Sequence, residues 1–98
     1  MKEIIAGLNK NFENRVRLGI MSALMVNDVL DFNALKELLG VTDGNLASHL
    51  KALEKHELIL VSKRFIGRKP NTTYEATEYG RLAFKKHLTA LEQLLGNT

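Results

Sequence analysis

The sequence predicts a mainly α, α+β fold in a single domain spanning residues 1–98. Three observations support this prediction. The chain has 98 residues, a length that suits one compact domain. Apolar residues recur at helical spacing in several stretches. One later stretch, residues 58–76, is instead rich in strand formers and contains Gly67, which is typical of a β-hairpin.

Composition excludes several classes of protein. The chain has no cysteine, which excludes disulfides, thiolate metal sites and cysteine nucleophiles. Its longest apolar stretch, residues 18–26, is far shorter than the ~18 residues that a membrane span needs. The apolar run at the amino terminus breaks at Gly7 before it reaches the length of a signal-peptide core. We therefore expect a cytoplasmic protein without a membrane partner.

The first half of the chain predicts two helices. Residues 13–26 carry apolar side chains on nearly every side of a helical projection, as in a helix buried at the centre of a small fold. Residues 29–32 could form a very short strand. Asp31 or Asn33 can then cap a second helix that ends at Gly40, and its inward-facing residues are Leu35, Leu38 and Leu39.

A third helix follows after a very short connection. Thr42 or Asp43 can cap it, and its single apolar stripe consists of Leu46, Leu50 and Leu53. Two helices joined by a tight turn, the second with a narrow inward stripe, have the outline of a helix-turn-helix.

The outer face of this third helix has the chemistry of a major-groove reader. Small residues, Gly44 and Ser48, would allow close approach to a duplex. Asn45 and Ser48 can reach base edges, and Lys51 and Lys55 can meet phosphates. For an isolated helix, a polar face that is merely solvated is the more common case. The interpretation therefore depends on the segments around it.

A basic hairpin supplies that context. Residues 58–65 and 72–76 read as strands, with residues 67–71 as the loop between them. The segment from 62 to 73 has no acidic residue, and its cations are Lys63, Arg64, Arg68 and Lys69. The net charge of the whole chain is only +3, so this local excess matters more. It suits a wing that follows the DNA backbone and inserts Arg68 or Lys69 into a minor groove.

The final helix is predicted to begin after Thr77, run to about Leu95 and stop at Gly96 and Asn97. It carries two neighbouring apolar strips, one of Phe84, Leu88, Leu91 and Leu95, the other of Tyr79, Ala83, Ala90 and Leu94. One strip can cover the domain. The other would pack on a second copy of the chain, giving an interface of Ile4, Ile5, Leu8, Phe84, Leu88, Leu91 and Leu95. The alternative is a broad buried face within a monomer.

Residues 17–95 resemble the winged helix-turn-helix transcriptional regulators of the MarR and ArsR type, especially their small one-domain members. The similar phrases are RLGIM, DFNALKELLGVTDGNLASHLKALEKHELI, KRFIGRKPNTTYEATEYGR and LTALEQLL. The resemblance implies a three-helix core, a two- or three-stranded β-wing and a C-terminal dimerisation helix. It also implies a homodimer that controls transcription, with residues 42–56 as the recognition helix and 63–73 as the wing. A small-molecule effector is implied as well, although no residue marks its site.

Together these arguments predict a sequence-specific regulator of double-stranded DNA. Its candidate DNA-binding residues are Thr42, Asp43, Gly44, Asn45, Ser48, His49, Lys51, Lys55, Lys63, Arg64, Arg68, Lys69, Asn71 and Thr72. The alternative is a winged helix that binds a protein partner and makes no DNA contact. RNA binding is less favoured, because only Phe65 and Tyr74 among the aromatics lie near the wing.

No cofactor, metal site or enzyme activity is predicted. His49 and His56 lie two helical turns apart, ~10 Å, too far to share one metal ion within a subunit. No glycine-rich phosphate loop, paired carboxylates or activated nucleophile is present in the sequence. Glu57 departs from the family pattern, which often has glycine after the recognition helix. A left-handed backbone at Glu57 would cost ~1 to 2 kcal/mol.

Overall fold

The computed structural model describes residues 1–96 and confirms the α+β prediction. Five helices, one 3₁₀ turn and three strands follow in chain order. They are α1 (Lys2–Ala6), the 3₁₀ turn (Lys10–Phe12), α2 (Arg15–Val26), β1 (Leu30–Asp31), α3 (Phe32–Leu39), α4 (Asp43–Lys55), β2 (Ile59–Ile66), β3 (Lys69–Ala76) and α5 (Glu78–Gly96). The strands form one antiparallel sheet in the order β1-β3-β2. Within residues 1–96, no helix is long and apolar enough to cross a bilayer.

The central helix α2 is buried as predicted, although it begins two residues later than expected. Its Val16, Ile20, Met21 and Leu24 all lie in the core. The Oδ1 atom of Asn14 accepts hydrogen bonds from the backbone N–H groups of Val16 and Arg17, at 2.9 and 3.1 Å. This cap satisfies two amide groups that a helix start leaves without a partner, so the helix cannot extend back to residue 13.

The second helix of the core, α3, packs closely on α2. Asp31 caps it by accepting from Ala34 N–H at 2.8 Å, and Gly40 ends it with a left-handed φ of 63°. Leu35 is buried and Leu39 approaches α2 so closely that a Cβ on Gly19 would lie 2.6 Å from it. The prediction that Leu38 faces the core is wrong, since its side chain is 62% exposed. A short helix that contacts the core along Leu35 and Leu39 leaves Leu38 outside.

Helix α4 buries the predicted leucine stripe, Leu46, Leu50 and Leu53, and ends in a Schellman motif. The N–H of Leu58 donates to the carbonyl of Leu53 at 3.0 Å, and the N–H of Glu57 donates to that of Glu54 at 2.9 Å. Glu57 occupies the left-handed position of this motif, with φ 60°. Of the two possibilities that the sequence leaves open here, a left-handed backbone at Glu57 or a different helix end, the structure has the left-handed backbone.

The end of α4 is joined directly to the start of α5. The hydroxyl of Thr77 donates to the Glu57 carbonyl at 2.7 Å and accepts from Gly80 N–H at 2.8 Å, so Thr77 caps α5 as predicted. The N–H of Thr77 donates to the Leu58 carbonyl at 3.1 Å. A Cβ on Gly80 would lie only 2.0 Å from that carbonyl oxygen.

The wing is a longer hairpin with a shorter loop than the sequence predicts. Ile66 pairs with Lys69, so Gly67 and Arg68 alone form the turn, and Gly67 has the positive φ (63°) that such tight turns favour. Strand β3 consequently begins at Lys69, three residues before the predicted start, and includes Pro70. Proline is tolerated there because β1 pairs only with Thr73 and Tyr74, which leaves the far edge of β3 open at residue 70.

Helix α5 closes the core through Phe84. This ring is 1% exposed and packs edge-on against Phe12, with ring centroids 5.1 Å apart. Phe84 therefore belongs to the core of its own chain, which corrects its assignment to the dimer interface. The described part of the helix runs as far as Gly96, and the predicted stop at Asn97 lies outside the described residues.

His87 of α5 contacts the amino-terminal segment and helps to hold it in place. It is 2% exposed, its Nδ1 accepts from Asn9 N–H at 2.9 Å, and its ring packs edge-on against Phe12. Burial lowers the pKa of His87 below its ordinary value of 6.5, although nearby Glu13 opposes part of this shift.

Replacing Glu57 with glycine should raise the free energy of unfolding by about 1 kcal/mol, because glycine adopts a left-handed backbone without a steric penalty. Urea denaturation of both proteins measures the change. Glu54→Gly provides the matched control, since it makes the same substitution inside α4 and should destabilise by about 1 kcal/mol. Equal effects at the two positions would contradict the role given to the Glu57 backbone.

Acidification should destabilise the protein through His87. Its pKa is lower in the folded chain than in the unfolded one, so the unfolded chain binds more protons at mildly acidic pH. The stability contributed by neutral His87 is fully present above pH 6.5 and is lost as the pH falls through the folded-state pKa. Denaturation at pH 7 and pH 5 should show a larger loss for the wild type than for His87→Gln. Equal losses would overturn this assignment.

Candidate nucleic-acid interface

The exposed face of α4 consists of small, polar and charged side chains. The following residues all lie on the surface: Asp43, Gly44, Asn45, Ala47, Ser48, Lys51, Glu54 and Lys55. Because the leucine stripe faces the core, no large apolar side chain of α4 remains exposed. Gly44 has open space where a Cβ would stand. A rigid surface of this kind can approach a duplex closely and present hydrogen-bonding groups to base edges.

The start of α4 is organised by two polar contacts. The hydroxyl oxygen of Thr42 accepts from Asn45 N–H at 3.2 Å, which selects Thr42 rather than Asp43 as the cap. Asp43 instead pairs with Lys36 of α3, with 2.8 Å between Nζ and Oδ1. Both side chains are substantially exposed, so this pair adds little stability. It does offset the acidic charge of Asp43 at the start of α4, which would otherwise repel a phosphate.

His49 lies at the border of the exposed face of α4 and is held in place by Arg17 of α2. Its Nδ1 accepts a hydrogen bond from Nε of Arg17, on α2, at 2.9 Å. Burial and, to a smaller extent, the Arg17 charge lower the pKa of His49 below 6.5. His49 is thus neutral at pH 7, and the pair adds a guanidinium from a second helix to this border.

The wing and α4 face each other across a groove. Ala47, Lys51 and Glu54 line it on the helix side, Lys63 and Thr72 on the wing side, and its volume is about 320 Å³. Side chains alternate along a strand, so Arg64 and Asn71 belong to the opposite face of the wing. The structure therefore brings Lys63 and Thr72 together with α4 but separates them from Arg64 and Asn71.

Within residues 1–96, no carboxylate neutralises the positive charge of the wing. In residues 1–96 the only ion pair joins Lys36 to Asp43. Lys63, Arg64, Arg68 and Lys69 are all exposed and have no carboxylate partner in the described part of the chain. Unpaired cations on a protruding hairpin are well suited to bind phosphates.

Sequence reasoning missed two cations on α2. Arg15 lines a second hollow, about 450 Å³ in volume, beside Thr42 and Asn45 at the start of α4. Arg17 reaches α4 through His49, a residue 32 positions away. No local pattern could have indicated either placement, because both depend on how α2 crosses α4.

The remaining histidine and the candidate dimer residues lie apart from this face. His56 is exposed after α4, and no group of three potential ligands in the described part of the chain could hold a metal ion. Ile4 and Leu8 are half-buried, whereas Ile5, Leu88, Leu91 and Leu95 are exposed. A third hollow, about 450 Å³, separates Leu8 and Lys10 from Tyr79, Leu82 and Lys86.

Comparison with known proteins gives consistent matches over nearly the whole chain. An uncharacterized protein of Methanocaldococcus jannaschii is 39% identical over 88 residues, which are 90% of this chain and 96% of that one. The structure of a transcriptional regulator homologue from Pyrococcus horikoshii superposes with a TM-score of 0.86 at 33% identity, covering 98% of this chain and 93% of the other.

The fold also matches a MarR-family transcriptional regulator from Silicibacter pomeroyi, with a TM-score of 0.69 at 16% identity. That match covers 95% of this chain and 64% of the regulator. The profile of the family described as "Winged helix DNA-binding domain" matches residues 16–95, from the central helix through the wing to the end of α5. The chain therefore belongs to the winged helix DNA-binding domain family, whose fold is that of transcriptional regulators.

Proposed function

We propose that this DNA-binding regulator acts as a homodimer and recognises a specific sequence in double-stranded DNA. Each α4 enters a major groove, and each wing follows the adjacent backbone or minor groove. The observation that carries this proposal is the exposed face of α4. It is free of large apolar side chains and lies across a groove from a wing whose cations have no acidic partner among the residues that the structure describes.

Residues divide into two roles under this proposal. Asn45 and Ser48 read base edges, because their short polar side chains lie on the exposed face near the start of α4. Lys51, Lys55 and the wing cations bind phosphates, which fixes the orientation of the protein but carries no sequence information. The Arg17–His49 pair supports the border between these groups.

Selection of bound DNA from a random pool, at two salt concentrations, tests the proposal directly. Two α4 helices related by a two-fold axis would occupy major grooves ~34 Å apart, so an inverted repeat should be enriched. Absence of any enriched sequence would instead favour a winged helix that binds a protein partner.

Dimerisation is supported by the apolar strip left uncovered on α5. The buried residues of this helix are Gly80, Phe84, His87 and Ala90. Beside them Leu91 is 37% exposed and Leu95 is 81% exposed, and Ile5 of α1 is exposed as well. Packing this strip against the same strip of a second chain removes apolar surface from water.

The effector stays a prediction. The hollow between the amino-terminal segment and α5 has apolar walls, Leu8, Tyr79 and Leu82, with Lys10 and Lys86 nearby. Such a lining fits a small anionic compound with an apolar ring. Calorimetric titration with hydroxybenzoate tests this site. The wild type should bind the compound and Leu82→Glu should not, and equal binding by both proteins would contradict the site.

The double variant Arg68→Ala/Lys69→Ala should bind all DNA sequences more weakly and show a flatter dependence on salt. If each side chain neutralises one phosphate, the slope of log Kd against log salt should fall by about 1.8 per protomer. Lys85→Ala/Lys86→Ala is the matched control, because it removes the same charge from exposed positions on α5. A wing variant with the slope of the control would refute phosphate binding by the wing.

Leu91→Glu/Leu95→Glu should dissociate the dimer, because two carboxylates per chain would lie in an apolar interface. Light scattering coupled to size-exclusion chromatography, at concentrations from about 10 to 100 μM, distinguishes 11.0 kDa monomers from dimers. Leu38→Glu is the control, since Leu38 is an equally apolar and exposed residue on α3. A monomeric wild type, or an intact dimer in the double variant, would exclude the proposed interface.

A further inference from the structure

The tip of the wing exposes a large aromatic side chain. Phe65 is 73% exposed, although it lies in the segment that otherwise carries the unpaired cations. Single exposed apolar residues are common on protein surfaces. At this position, however, the phenyl ring lies between the phosphate-binding residues of the proposed interface, with Lys63 before it and Arg68 after it.

The register of the hairpin assigns Phe65 to the face that is turned toward α4. Phe65 pairs with Pro70, as Lys63 pairs with Thr72 and Val61 with Tyr74. The last four of these residues line the groove opposite α4. Because every second residue of a strand shares a face, Phe65 continues this lining about 7 Å beyond Lys63, whereas Ile66 lies on the other face.

We propose that Phe65 is an apolar DNA contact that packs its ring against the deoxyribose walls of the minor groove. This inference rests on the proposed function, in which α4 occupies the neighbouring major groove. A hairpin that extends past α4 on the same side reaches the next stretch of backbone. The sugar C–H groups of a minor groove offer an apolar surface between two rows of phosphates, and apolar side chains are used there by other DNA-binding proteins.

The chemistry of the tip matches this partner in two ways. The cations on either side of Phe65 fit phosphates on both edges of a minor groove, and the ring fits the sugars between them. A single-stranded nucleic acid would require several exposed aromatic platforms. In the described part of the wing, Phe65 is the only exposed aromatic residue, because Tyr74 is buried.

The test uses the 98-residue chain and two double-stranded probes. One is the duplex enriched by selection, and the other is an unselected duplex of mixed sequence of about 40 bp, a length that spans two half-sites with flanks. Dissociation constants are measured at several salt concentrations for the wild type, Phe65→Ala, Phe65→Leu and Ile66→Ala. Ile66 is the matched control, because it is adjacent in sequence, exposed and on the opposite face of the wing.

Phe65→Ala should weaken binding by about 5- to 30-fold, the effect expected when an apolar side chain loses a buried contact. The salt slope should not change, since no charge is lost, and thermal stability should not change, since the ring is exposed. Phe65→Leu should recover part of the affinity, and Ile66→Ala should bind within about twofold of the wild type. Hydroxyl-radical footprinting should show protected minor-groove sugars that become accessible in Phe65→Ala.

Three results would overturn the inference. Wild-type affinity in Phe65→Ala would show that the ring makes no contact with DNA. An equal loss of affinity in Ile66→Ala would show a general effect on the wing. Unchanged footprints in Phe65→Ala would exclude a contact in the minor groove. In each case the wild type still binds DNA with a steep salt dependence, so the proposed function survives. If the wild type binds neither probe, the proposed function fails and this inference fails with it.

Discussion

The relative placement of the DNA-binding elements depends on the backbone around residues 57 and 58. There the end of α4, the start of the wing and the cap of α5 share hydrogen bonds: Leu58 N–H to Leu53, Thr77 N–H to Leu58, and the Thr77 hydroxyl to Glu57. Gly80 lets α5 lie directly on the Leu58 carbonyl. A strained glutamate is retained at the centre of this arrangement, and the surrounding contacts hold it in its left-handed conformation.

Because α4 and the wing are rigidly connected, the distribution of charge between them matters for function. A net charge of +3 says little about a partner by itself. The structure matters because it offsets the acid at the start of α4 with Lys36 and, within residues 1–96, leaves the wing cations without an ion pair. Exposed cations of the wing thus lie near the face of α4 that carries the short polar side chains. A surface of this kind separates attraction by phosphates from recognition of bases.

Much of the fold could be predicted because its signals are local. The cap at Thr77, the left-handed Gly40 and the leucine stripe of α4 each depend on residues a few positions apart. The exposure of Leu38 and the burial of Phe84 could not be predicted, since both depend on which neighbour covers a helix face. A periodic pattern states that a face is apolar, but only tertiary packing determines which of two adjacent strips is covered.

In the candidate site, too, the features with a local sequence signal could be predicted and those that depend on tertiary packing could not. The exposed residues of α4 follow from helical periodicity, and the basic wing follows from its composition. The shorter turn at Gly67 and Arg68 did not follow, because the prediction assigned residues 67–71 to the loop, whereas Lys69, Pro70 and Asn71 pair with β2. Arg17 and His49 meet only after two helices cross, so their pairing carries no signal within either helix.

Pro70 has a consequence for how molecules of this protein coexist at high concentration. Beyond the short β1 strand, the outer edge of β3 has no paired strand within residues 1–96 and could serve as a template for strands of other molecules. Proline offers no N–H at that edge, and its ring obstructs an approaching backbone. A residue that breaks the expected strand pattern therefore protects this edge of β3 against pairing with the strands of other molecules, while the wing stays free to meet its ligand.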